Sequence, residues 1–145
     1  MGTRLRIVAS ALCATALGSF AGWLSAAEVG AFTKAQADAG SRVYTSHCAR
    51  CHGARLEGGM GPPLAGEAFV RTLDVDSTTA PQLYDFITSH MPRHQAGILT
   101  DQQYLRAFAF ILSANGYPSG QKALTKQTLN TVELRPYPGR GGRST

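Results

Sequence analysis

Residues 48–52 read Cys48-Ala49-Arg50-Cys51-His52, two thiols separated by two residues with a histidine directly after the second. This Cys-x-x-Cys-His order is the pattern of a c-type haem attachment site. Each thiol there adds across one vinyl group of the porphyrin, and the tether brings the adjacent imidazole to the iron as an axial ligand. One short turn thus supplies two anchors, Cys48 and Cys51, and a ligand, His52. Two other chemistries use a Cys-x-x-Cys pair. A zinc site needs two more ligands, and His90 and His94 stand at an H-x3-H spacing, although about 40 residues separate them from Cys51 where compact fingers use about 12–15. A thioredoxin-like redox pair needs a βαβ setting, and no alternation of β-branched strands with helices surrounds this one.

Downstream of the motif, Gly53 to Gly66 is dense in glycine and proline, so it predicts a loop that follows a flat surface closely. A carbonyl of this loop, with Pro62 the best placed, is expected to accept from the second ring nitrogen of His52 and so fix its tautomer. Glu67 to Arg71 predicts a turn of helix that buries Phe69, followed by a polar connection from Asp74 to Thr79. A clearer helix starts at Thr79, carries Leu83, Phe86 and Ile87 on its apolar face, and ends at His90-Met91-Pro92. Proline pushes the residue before it out of helical geometry, which frees Met91 to point into the core.

Upstream, Thr33 is suited to cap a helix that runs into Cys48, with Ala35, Ala39, Val43 and Tyr44 on one face. Glycine at 40 weakens a helix interior and predicts that another element approaches there, a simple kink being the alternative. The partner expected is the last helix. It opens on the capping-box pattern Thr100-Asp101-Gln102-Gln103, repeats Tyr104, Leu105, Phe108, Ile111 and Leu112 at helical spacing, and stops at Asn115-Gly116 and Pro118. The stretch 119–145 shows little periodicity and is read as a poorly ordered C-terminal tail.

The chain has 145 residues, enough for one small domain that a cofactor would help to stabilise. Residues 1–27 have the form of a secretory signal peptide: Arg4 and Arg6, an apolar run from Ile7 to Leu24, and Ser25-Ala26-Ala27 before the expected start at Glu28. An uncleaved anchor helix is the alternative. Cys13 falls in that leader, so the mature chain keeps only Cys48 and Cys51, and export places it in the periplasm. Without the two leader arginines, 12 Lys and Arg face 9 Asp and Glu, a net +3. Two haem propionates would bring that close to neutral, which gives no ground for a nucleic-acid partner or for stable membrane insertion after cleavage.

From about Ala35 to Pro118 the order of the attachment motif, the Gly61-Pro62 loop, the Met91-Pro92 pair and the last helix resembles the class I (mitochondrial-type) cytochromes c in their single-haem bacterial periplasmic form. The runs from Leu83 to Pro92 and from Gly97 to Tyr104 carry the likeness to such bacterial proteins. The resemblance implies an all-α, cytochrome c-like domain over 28–118, with three main helices and loops wrapped around one covalent haem c. It implies thioethers at Cys48 and Cys51, His52 as proximal ligand, Met91 as distal ligand, Pro62 accepting from His52, and crossed first and last helices. Met91 also leaves its helix at a proline and is a soft ligand that favours ferrous iron. Met60, His90 and His94 are the rivals, and His47 is read as facing solvent. The function implied is one-electron transfer by a monomeric carrier, not an enzyme, between a periplasmic dehydrogenase or respiratory complex and an acceptor such as a terminal oxidase. A haem enzyme or gas sensor with a labile distal ligand, and a zinc-binding module, are the alternatives.

Overall fold

The structure is a computed structural model that describes residues 30–75 and 77–138. The leader therefore lies outside the described residues, as does the end of the tail from 139.

The domain is all-α in character. In chain order it has a two-residue strand β1 (Phe32–Thr33), helices α1 (Lys34–His47), α2 (Ala49–His52), α3 (Gly66–Val75), α4 (Ala80–His90) and α5 (Asp101–Ala114), a two-residue strand β2 (Ser119–Gly120), and a 3-10 helix at Lys126–Thr131. Thr33 caps α1 as expected, its hydroxyl accepting from the N–H of Gln36 at 3.1 Å. Thr79 and Thr100 form full capping boxes with Gln82 and Gln103 at the heads of α4 and α5. Each box satisfies amide groups that a helix start would otherwise leave without partners.

The centre of the domain is the packing of α1 against α5. α5 buries Tyr104, Leu105, Ala107, Phe108, Ala109, Ile111 and Leu112, and α1 meets it with Ala37, Gly40 and Tyr44. The α1 face is rotated from the expected one, since Ala35 is exposed. Its midpoint is a residue with no side chain, so apolar periodicity alone places the face wrongly. At Gly40 an added Cβ would lie 2.5 Å from the carbonyl carbon of Arg106 and 3.0 Å from Cβ of Phe110. The glycine is a crossing point rather than a kink.

Two further departures concern the extent of structure. The turn expected at 67–71 is a full helix, α3, that buries Phe69, Val70 and Leu73. The tail expected to be loose is packed from 119 to 138. Its β2 pairs in parallel with β1, Phe32 opposite Ser119 and Thr33 opposite Gly120. Gln36 on α1 exchanges two hydrogen bonds with Leu124, Nε2 donating to its carbonyl at 2.8 Å and Oε1 accepting from its N–H at 2.7 Å. Leu124, Leu129, Val132, Leu134 and Tyr137 are buried, and the Tyr117 hydroxyl donates to the Leu134 carbonyl at 2.6 Å. The guanidinium of Arg135 donates to the carbonyls of Leu73 and Thr78. These spaced apolar residues follow no helical or strand period, and their partners lie far away in the chain. No local pattern therefore marks them for burial.

Candidate functional site

The end of α1 runs directly into the motif. The Cys48 N–H still donates to Tyr44 O at 2.8 Å, and the N–H groups of Cys51 and His52 both donate to Cys48 O, at 3.1 and 3.0 Å. This single helical turn puts the thiols at positions i and i+3, which share one side of a helix. Both cysteines are free and half-buried. Burial, reinforced by the neighbouring Cys51, pushes the Cys48 thiol up to about 11.

His52 is the buried polar side chain of the motif, 7 % exposed. Its Nδ1 lies 2.7 Å from the Pro62 carbonyl, which can only accept. Nδ1 is therefore the donor there, which leaves Nε2 as the ring nitrogen that could face a metal. The loop that presents Pro62 is fastened back onto the motif: Gly58 N–H donates to His52 O and Gly61 N–H to Cys51 O, each at 2.8 Å, and Leu64 N–H donates to Leu56 O at 2.9 Å. Leu56 anchors it in the core. At Gly61 an added Cβ would lie 2.8 Å from Cε1 and 2.9 Å from Nδ1 of the imidazole. Only glycine allows the loop to lie this close to the ring.

Two other side chains tie the loop down. Tyr44, buried on α1, donates its hydroxyl to Gly53 O at 2.7 Å. Asn115, after α5, donates Nδ2 to Leu64 O at 2.9 Å and accepts from Gly66 N–H at 3.0 Å. Neither role was legible beforehand. Tyr44 reads as one more apolar residue of a helix face and Asn115 as a helix stop, because a hydroxyl or amide names no partner in a linear chain.

Met91 lies on a separate element, at the end of α4. Its N–H donates to Ile87 O at 2.9 Å, its backbone is extended at φ −123° and ψ 147°, and it is half-buried. The freeing of this residue by Pro92 is as expected. Met60 is 75 % exposed. His90 is exposed and stacks on Phe86, with ring centroids 4.6 Å apart, so Phe86 faces outward rather than into the core. His47 and His94 are exposed as well. Among the described residues, no group of three or more His, Cys, Asp or Glu is placed to hold a metal ion. The zinc alternative therefore finds no ligand set there.

The residues fit a covalently attached haem: two free thiols one turn apart, a buried imidazole oriented by a carbonyl with its other nitrogen available, and a glycine loop pressed against the ring. A protein-family model described as cytochrome C oxidase, cbb3-type, subunit III matches residues 35–111, more than half of the chain. No curated protein matches it, and no solved structure does.

Proposed function

Because the chain belongs to the family of cbb3-type cytochrome c oxidase subunit III, a class I-like single-haem cytochrome domain that binds haem and carries electrons, we propose that it is a periplasmic one-electron shuttle with His52 and Met91 as axial ligands. Cys48 and Cys51 hold the group through thioethers, and Pro62 orients the proximal imidazole. Bound there, haem c supplies a one-electron ferric/ferrous couple. The observation that carries the reading is the 2.7 Å bond from a buried His52 to Pro62 O, beside two free thiols. A hydrogen bond to one ring nitrogen sets the tautomer and raises the basicity of the other, which is what an iron ligand requires.

The Met91 thioether is the second ligand. It favours the ferrous state and raises the potential, as suits a carrier in an oxidising compartment. Were the group held by His52 and Met91 together, the chain would leave no place on it for a substrate, and the protein would act as a carrier rather than an enzyme. Its electrons come from a periplasmic dehydrogenase or respiratory donor and pass to an acceptor such as a terminal oxidase. The contacts are small, below about 1,200 Å² in total. Arg50 and Arg93 are exposed and steer an acidic partner, so transfer slows as salt rises. Export follows the leader, and N-terminal sequencing of exported protein should read Glu28 first.

Optical spectra and potentiometry test the ligand set. Ferric wild-type protein should show the weak red charge-transfer band of methionine-bound haem. Met91→Ala should lose that band and have a lower potential, while Met60→Ala keeps both. A band that survives Met91→Ala would overturn the assignment.

A further inference from the structure

The loop that begins at Met91 is exposed from Arg93 to Ile98. Its own hydrogen bonds are local, from Gln95 N–H to Pro92 O at 2.8 Å and from Ile98 N–H to Gln95 O at 3.2 Å. The Tyr104 hydroxyl ties it to the core at two points. It donates to the Met91 carbonyl at 2.7 Å and accepts from the Gly97 N–H at 2.9 Å, joining both ends of the loop. Tyr104 is itself rigid: it is 3 % exposed, and its N–H donates to Thr100 O at 3.0 Å in the first turn of α5.

Met91 is thus held from two sides, its N–H by α4 and its carbonyl by α5. A methionine side chain is flexible and its bond to iron is weak, so the backbone that presents it decides how readily it leaves. We propose that Tyr104 is a positioning residue that keeps the Met91 sulfur on the iron and so limits displacement of that ligand by outside molecules. The proposal rests on Met91 being the distal ligand. Opening the loop far enough to withdraw Met91 breaks both bonds of the hydroxyl, whereas a phenylalanine would fill the same space and hold nothing.

Imidazole titration of the ferric holoprotein tests it. In Tyr104→Phe the red charge-transfer band should persist without imidazole, and the apparent imidazole affinity should rise at least about tenfold, because the closed loop has lost two hydrogen bonds absent from the open one. Tyr117→Phe is the control, since it removes a tyrosine-to-carbonyl bond of 2.6 Å in the packed tail. It should lower the unfolding midpoint and leave imidazole affinity unchanged. In wild-type protein the Gly97 amide should resist hydrogen exchange despite its exposed loop and lose that protection when imidazole saturates the iron. Wild-type affinity in Tyr104→Phe, an equal rise in Tyr117→Phe, or a freely exchanging Gly97 amide would overturn the proposal. If Met91→Ala keeps the band, the ligand assignment falls and the proposal with it. If Met91→Ala loses the band while Tyr104→Phe binds imidazole as wild type does, only the role of Tyr104 falls.

Discussion

Replacing Gly40 by alanine adds one methyl group at the point where α1 touches α5. In an ordinary helix interior this change stabilises by up to about 1 kcal/mol, because glycine is the poorer helix former. Here the new carbon would lie 2.5 Å from the carbonyl carbon of Arg106, and carbon atoms pack at about 3.5–4.0 Å. The obstacle is backbone inside a helix and cannot rotate away, so the two helices must separate by roughly 1 Å. A radial gap of that size forfeits about a quarter to a half of each contact's dispersion energy. Overpacking typically costs about 1–3 kcal/mol. Taking the upper end for a backbone clash and subtracting the propensity gain leaves a net loss of about 2 kcal/mol, or a fall in Tm of roughly 8–12 °C. Thermal unfolding of the holoprotein, followed by circular dichroism, reads this directly. A Tm that is unchanged or higher would refute the crossing-point argument.

Gly61→Ala should push the His52 ring off the Pro62 carbonyl, which weakens the basicity given to the ligand and raises the reduction potential; potentiometric titration checks the sign. Gln36→Ala should lower the unfolding free energy by about 1–3 kcal/mol, through the two bonds lost with Leu124, whereas a truly loose tail would make it neutral. Burial pushes Tyr84 and Tyr117 up to about 12 in the folded protein, while the unfolded chain releases these protons near 10. Over that interval the folded state binds more protons than the unfolded one, so stability present below pH 10 falls between pH 10 and 12. Denaturant unfolding across that range should show the decline, and Tyr117→Phe should make it shallower.

The parts of the fold and site that could be read in the chain are those encoded by local chemistry. Cys48, Cys51 and His52 are adjacent, so their joint use follows from spacing. The Thr79 and Thr100 caps lie three residues from the glutamines that complete them, and Pro92 acts on its immediate neighbour Met91. Pro62 was legible because its loop is short and starts at the histidine it serves. Longer reach defeated the reading. Leu124 and Leu134 are isolated apolar residues whose partners, Gln36 and Tyr117, are fixed only once α1 and α5 have packed. The α1 face was misplaced because its key residue, Gly40, is marked by the absence of a side chain. Tyr104 belongs to an apolar stripe through its ring, while its hydroxyl joins Met91 to Gly97.

Covalent attachment of haem through Cys48 and Cys51 underlies every role proposed for His52, Met91 and Tyr104. Mass spectrometry of the purified mature protein after acid and organic extraction tests it most directly. The polypeptide should retain the mass of one haem, and Cys48→Ala combined with Cys51→Ala should abolish that retention. A wild-type chain that emerges from extraction at its bare polypeptide mass, with its haem in the organic phase, would contradict the account.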